Sequence, residues 1–473
     1  MAAENVVIMG GGPAGLAAGY ELAKKGYRVT LIEKEKQVGG ISKTVEKDGY
    51  RFDQGGHRFF TKIEEVEQLW NEVLEEDFLL RPRLSRIFYR GKFFDYPIKP
   101  FNALSGLGLY ESMKIVGSYM KVKVKPIHPE ESFEDWVTNR FGYRLFNHFF
   151  KSYTEKVWGM STKELKAEWA AQRIQGLNLV KAVTNALFKQ FKKNSIKTLI
   201  EEFHYPRLGP GQMYESMARA IEKCGGKVLL NARVSRINMN GPKFIAVEYV
   251  DQTGQENRIE ADHAISSLPL RDLIHLLRPG LDPDVVKAGD LLKYRDFISV
   301  NLALNKEFLF PDNWIYVHSP EVNLGRVQNF KQWSPSMVPE EGCSSLGLEY
   351  FCNEGDELWS SPDDDLIDMA VEEISQIGLI EKDIVKWGWV VRVPKAYPVY
   401  DDDYQEAMPA IKRFLNGLDN LQTIGRNGLH RYNNMDHSIL TGILAAQNIQ
   451  GARHDLWEVN TDEEYHEEME TKH

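Results

Sequence analysis

No run of about 18 apolar residues, the length a helix needs to cross a bilayer, occurs anywhere in the 473 residues. Cysteine is nearly absent: there are only Cys224, Cys343 and Cys352. None stands in a CxxC pair, so neither a disulfide framework nor a zinc cluster is indicated. Positive charge is not in excess either. The 58 Lys and Arg stand against 68 Asp and Glu, a net charge of −10. General nucleic-acid binding needs a basic surface and is excluded. A local basic pocket for an anionic small molecule is not. There is no internal repeat, no low-complexity linker, and no charged leader with an apolar stretch and cleavage site. These absences predict a cytoplasmic protein with no stable membrane insertion. What is present, 42% hydrophobic and 27% charged residues, is the composition of a globular protein. At roughly 150 residues per domain the length suggests two or three structural units.

The N-terminal region carries the clearest motif. Asn5–Met9 is a short apolar run, followed by Gly10, Gly11, Gly12, Pro13, Ala14 and Gly15, then by the helical pattern Leu16–Ala23. A second strand pattern, Arg28–Ile32, ends at Glu33 and Lys34, with Glu33 18 residues beyond Gly15. A glycine turn alone is common. Strand, GxGxxG, helix, strand and acid in this order predict dinucleotide binding. The glycines let backbone approach a pyrophosphate, the helix N-terminus offers N–H groups, and Glu33 takes ribose hydroxyls.

After Lys34 come Gly39, Gly40, Ile41 and Ser42, then Phe52–His57 with Gly55, Gly56 and His57. These glycine pairs resemble the extended pattern of FAD proteins of the amine oxidase type. That resemblance implies that the first loop passes the flavin diphosphate and the second lies against the isoalloxazine ring. Gly226–Val234 reads as two strand pieces around a turn, and in such folds it reaches the adenine through Val234. Flavin-type signals near residues 1–60, 205–270 and 420–450 predict a discontinuous α/β, Rossmann-like FAD domain made of residues 1–80, 203–290 and 395–460. Residues 81–202 read as a mainly helical insertion and 291–394 as a mixed β-sheet substrate domain. The lysines of the segment Lys181–Lys197 (Lys181, Lys189, Lys192, Lys193, Lys197) suit a solvated helix face better than a membrane surface or acidic partner. The acidic tail beyond Trp457 reads as a solvated end.

The ordered patches resemble the UDP-galactopyranose mutase family, closer to its eukaryotic-type members, within the wider amine oxidase and protoporphyrinogen oxidase flavoprotein group. They are Gly55–His57, Arg86–Pro97, Tyr153–Trp158, Trp169–Arg173, Phe203–Gly211, Trp314–Arg326, Lys395–Pro398, Gly425–Tyr432 and Asp436–Ser438. The resemblance covers nearly the whole chain in patches. It implies a mutase that interconverts six-ring and five-ring forms of a UDP-linked sugar, with reduced FAD as nucleophile and no net redox change. NAD(P)H is a candidate reductant, and a UDP-sugar or other anionic small molecule the expected partner. Arg173 and Arg326 correspond to arginines that grip the diphosphate, for which a planar fork suits. Tyr397 and Tyr432 correspond to tyrosines that donate to it. Tyr316 would lie near the nucleotide, and Tyr96 and Trp158 would line the pocket. His57 would meet the flavin near N5. Gly425, Arg426, Asp436, His437 and Ser438 would close around the flavin.

Each residue has an ordinary structural reading. An arginine on a helix is commonly a surface ion pair, Tyr397 and Tyr432 suit a core equally well, and Trp158 suits one too. Lys99 departs from the family, whose eukaryotic-type members tend to carry an uncharged polar residue near the uridine, and the glycine-rich loop after Pro206 is shorter. Two other functions share the flavin segments: an FAD oxidoreductase acting on amines, porphyrinogens or polyenes, and a non-enzymatic flavin-bearing protein.

Overall fold

The computed structural model describes residues 4–96, 98, 100–167, 198–199, 202–460 and 468–469. Its organising element is a five-stranded parallel sheet. In spatial order the strands are Lys227–Leu229, Arg28–Ile32, Asn5–Met9, His263–Ser266 and Leu421–Thr423. The strand Asn5–Met9 lies at the centre, and its side chains alternate between two cores. Val6 and Ile8 face the helices Pro13–Lys24, Gly211–Lys223 and Met435–Ile449. Val7 and Met9 face the other way, toward Ile237, Leu273 and Ile411. Period-two alternation of this kind is what a strand covered on both faces requires.

The helix Pro13–Lys24 starts immediately after the glycine turn, with Pro13 in its first turn. The fixed φ of proline suits that position, and its missing N–H costs nothing there. The helix crosses Met435–Ile449 at very close range. A Cβ built on Gly442 would stand 2.2 Å from the carbonyl oxygen of Ala14. Two backbones can approach so closely only where one of them has no side chain.

The second body is a seven-stranded mixed sheet. Its order is Val385–Pro398, Tyr294–Leu304, Ser344–Cys352, Arg326–Asn329, Trp314–Val317, Ser85–Tyr89 and Lys92–Asp95. Only Trp314–Val317 and Ser85–Tyr89 pair in parallel. The part of the chain read as mainly helical therefore opens with two strands of this sheet before its helices begin. Lys395–Pro398, grouped by pattern with the flavin segments, is the end of the strand Val385–Pro398. Helices Pro100–Leu107, Leu109–Val124, Phe133–Phe141 and Ser152–Trp158 pack beside the sheet. Arg173, Trp169, Lys99, Lys181–Lys197 and most of the acidic tail lie outside the described residues. Among the described residues, no helix is long and apolar enough to cross a membrane.

Gly442→Ala is expected to lower stability by about 1–3 kcal/mol, the cost of overpacking a tight contact. Denaturant unfolding of the variant beside the parent measures it.

Candidate active site

A single cavity of about 910 Å³ runs from the glycine turn to the face of the seven-stranded sheet. At its first end, Gly10 has φ +104° and a Cβ there would lie 2.2 Å from Ser267 Oγ. A Cβ on Gly15 would lie 2.1 Å from the Gly10 carbonyl. Gly15 thus shapes the turn from behind and is not on the cavity wall. No side chain caps the first turn of helix Pro13–Lys24. Its amides keep their capacity for an anion. Glu33 is buried; one carboxylate oxygen accepts from Gly11 N at 2.7 Å and the other from Glu35 N at 2.9 Å. Each oxygen has a second acceptor direction for a ribose hydroxyl. The second glycine loop comes in close, with Gly40 φ +56° and its Cβ position 3.2 Å from Gly12 Cα.

The structure brings Gly10, Gly12, Pro13, Ala14, Glu33, Lys34, Gly40, Ile41, Ser42, Val234, Gly425, Arg426, Asp436 and Ser438 onto this one cavity. His437 is not among them. It is buried beside Asp436 and lines a separate cavity of about 690 Å³ with Lys62, Arg453 and Glu458. In a helix, adjacent residues point about 100° apart, so Asp436 and Ser438 reach the wall while His437 turns away.

From the helix start, Glu33 and Val234, the same cavity continues to Gly56 and His57. There the wall is made by the mixed sheet. Cross-strand register places Tyr316 opposite Arg326 and Arg326 opposite Glu349. Glu349 is fully buried and grips Arg326 through Nε (2.9 Å) and Nη2, while its other oxygen accepts from Gln328 Nε2 at 2.9 Å. Gln328 in turn backs the loop, since a Cβ on Gly56 would stand 2.9 Å from its Nε2. Burial works against the Arg326 charge. The Glu349 carboxylate overrides it and holds the guanidinium well above its usual range.

Tyr397 is buried, with its hydroxyl 3.4 Å from Arg326 Nη2 and its ring stacked on Tyr432 at 5.6 Å. Arg426 lies 4.6 Å over the Tyr432 ring and donates to the Asn433 and Ala396 carbonyls. Tyr96 and Tyr316 face each other at 4.5 Å, and Tyr153 meets Tyr316 at 5.6 Å. Trp158 is buried and packs edge-on to Tyr397 at 6.3 Å, behind the wall and not on it. Burial, with the charges of Arg426 and Arg326, pushes the His57 imidazole down to about 3. His57 is therefore neutral at ordinary pH. Sequence reasoning passed over Glu349 and Gln328. The available signal was one carboxylate inside the otherwise apolar strand Ser344–Cys352, a place where an acid is rare unless paired.

The loop before Gly55 is braced from below. Asp53 accepts from the Tyr205 hydroxyl and from Thr44 Oγ1 (2.9 Å), and Thr44 accepts from Gly211 N at 3.0 Å. Burial raises the Asp53 carboxyl to about 7, although both hydroxyl donors pull it down.

Residues 13–450 match the model of the flavin containing amine oxidoreductase family. The chain belongs to that family. It is similar to a 4,4'-diapophytoene desaturase (4,4'-diapolycopene-forming) of Methylomonas sp, 25% identical over 322 residues, which cover 59% of this chain and 56% of the desaturase. An L-amino-acid oxidase of Bothrops jararacussu is 25% identical over 323 residues, covering 64% of this chain and 61% of the oxidase. The chain thus spans less than two thirds of the length of either curated relative. In fold it is similar to reduced UDP-galactopyranose mutase, with a TM-score of 0.82 at 20% identity, covering 97% of this chain and 98% of that one. The α/β flavin fold with a mixed-sheet second body is therefore that of the family. Membership supports a flavin, and the uncapped helix start, the glycine cradle and Glu33 fit FAD. It lends no support to a nicotinamide reductant.

Asp53 generates a pH prediction. Its folded value lies above the unfolded one of about 3.9, so between these values the unfolded chain holds fewer protons. Its contribution to stability therefore falls as pH rises from about 4 to 7 and is flat above. Asp53→Asn should flatten that slope, read from unfolding curves across the window. An unchanged slope would show that the carboxyl ionises normally in the fold.

Proposed function

We propose that the chain is a nucleotide-sugar mutase that works with reduced FAD. The observation that carries the reading is the far end of the cavity, where a largely buried arginine, held charged by Glu349, stands with the Tyr397 hydroxyl beside the glycine loop. Such a wall suits a diphosphate. The guanidinium supplies charge and a flat fork, the tyrosine supplies a neutral donor, and Tyr96 and Tyr316 give aromatic surface for a nucleoside or sugar. The whole-length likeness in fold to reduced UDP-galactopyranose mutase supports it.

Bound in reduced form, the flavin would supply the nucleophile toward the sugar. The chain's own residues have three tasks. Arg326 and Tyr397 hold the diphosphate and stabilise the charge it gains on leaving. Glu349 fixes the plane of Arg326, so the diphosphate shares an oriented cation. It does not have to organise a mobile one. Neutral His57 and the two loop glycines form a close, uncharged surface at the flavin. The tyrosine walls keep water from the opened sugar.

A second reading, an oxidase or desaturase, is favoured by the curated relatives. It requires substrate to reduce bound flavin directly. UDP titration by calorimetry, on oxidised and dithionite-reduced protein, separates the two. Saturable binding that strengthens on reduction is expected. No binding in either state would overturn the mutase reading, and flavin bleaching by an amine, porphyrinogen or polyene would then establish the second.

Tyr397→Phe is expected to weaken UDP binding by about 0.5–1.5 kcal/mol, the net value of one hydrogen bond, with the fold unchanged by circular dichroism. Arg326→Ala should abolish binding and also destabilise the fold by about 3–5 kcal/mol, because it leaves Glu349 buried without its partner. Paired titration and unfolding measurements separate the two effects.

A further inference from the structure

Helix Leu109–Val124 is apolar on two opposed faces. One face carries Ile115, Tyr119 and Val122, which are buried. The contact there is tight: a Cβ on Gly142 would stand 2.8 Å from Tyr119 N, and Ser118 Oγ accepts from Arg144 N at 3.1 Å. At about 100° per residue, Leu109, Met113, Val116, Met120 and Val124 form one stripe on the other side. Their exposures are 79%, 59%, 50%, 57% and 83%. With Tyr110 at 68%, the helix holds six of the eleven exposed large hydrophobic side chains described. The exposure is thus concentrated on one element, where a packed surface helix would be polar. A contiguous patch of this kind marks an interaction surface.

Charge identifies what it meets. Lys114, Lys121 and Lys125, all exposed, run along one flank of the stripe, whereas Lys123 on the other turns its ammonium back to the Asn139 carbonyl at 3.3 Å and the Tyr119 ring. The helix has one acid, Glu111, and it is turned to Arg144 and His148. This cationic border stands out in a chain of net charge −10. A second copy docked through the same stripe about a two-fold axis would press the lysine flanks together. Sixteen residues at 1.5 Å rise give a helix of about 24 Å, too short to cross a bilayer but suited to lying in its surface. Apolar side chains directed into the acyl boundary, with lysines along the headgroups, are the pattern of such helices. Lysine stems cover apolar surface while their ammonium groups stay wet, as Lys114 does 3.9 Å over the Tyr110 ring.

We propose that helix Leu109–Val124 is a docking face for an anionic lipid membrane. The helix is seated rigidly, so docking needs no refolding and inserts no span. It stands beside helix Pro100–Leu107, whose Asn102 accepts from Asp95 N at 2.9 Å, next to Tyr96 on the cavity wall. The docked helix is therefore close in the fold to the substrate end of the cavity.

The test is co-sedimentation of the full chain with phosphatidylcholine vesicles, with and without phosphatidylglycerol. Binding only with phosphatidylglycerol, and weakened by salt, is expected. The double variant M113E/M120E should lower it by about tenfold or more. The double variant K114E/K121E, which keeps the stripe, should lower it as well. No binding by the parent chain to either vesicle overturns the proposal. So does a parent dimer that M113E/M120E converts to monomer by light scattering, which would make the stripe an interface between copies. A large fall in melting temperature in M113E/M120E also overturns it, since it would show that the chain covers the stripe itself.

Discussion

The ion pair between Arg326 and Glu349 is the constraint on which the sheet-side end of the cavity depends. Burying either charge alone costs several kcal/mol, and burying both is repaid only by good geometry and further hydrogen bonds. Adjacent antiparallel strands supply that geometry, with Gln328 taking the second carboxylate oxygen. An apolar pair of similar volume would stabilise a sheet as well. The value of the pair lies in what it presents: an oriented, permanently charged fork beside Tyr397 in a cavity that water reaches only in part.

The same pair ties the two bodies of the protein together. Gln328 presses on Gly56 from the mixed sheet, and Asp53 holds the preceding residues through Tyr205 and Thr44. The loop Gly55–His57 is therefore clamped from both sides, by a charged network above and an acid of raised pKa below. Such clamping holds the loop in one conformation on the cavity wall.

Much of the nucleotide end was legible in the sequence because its determinants are local. Gly10, Gly12, Gly15, Glu33 and Gly40 lie within about one supersecondary unit, and each has a conformational or electrostatic reason to be what it is. The stretch 81–202 reads as mainly helical, yet it opens with Ser85–Tyr89 and Lys92–Asp95, two strands of the mixed sheet that precede the helices. Glu349 was not legible as a partner of Arg326. Their meeting depends on strand register, which the local pattern of either strand leaves open. His437 shows the converse problem. It sits between two wall residues in sequence and on a different face in space. Arg173, the other arginine of the resemblance, lies outside the described residues.

The parallel sheet has a temporal consequence. Its central strand is Asn5–Met9, yet its edge strand is Leu421–Thr423, and helix Met435–Ile449 packs on the first helix through Gly442. The motif that reads most plainly as a nucleotide site is thus completed by a strand and a helix that are far from it in sequence. Such long-range pairing is slow. Flavin capture therefore waits on that long-range pairing, and until it forms the apolar faces of the strand Asn5–Met9 and helix Pro13–Lys24 lack their cover.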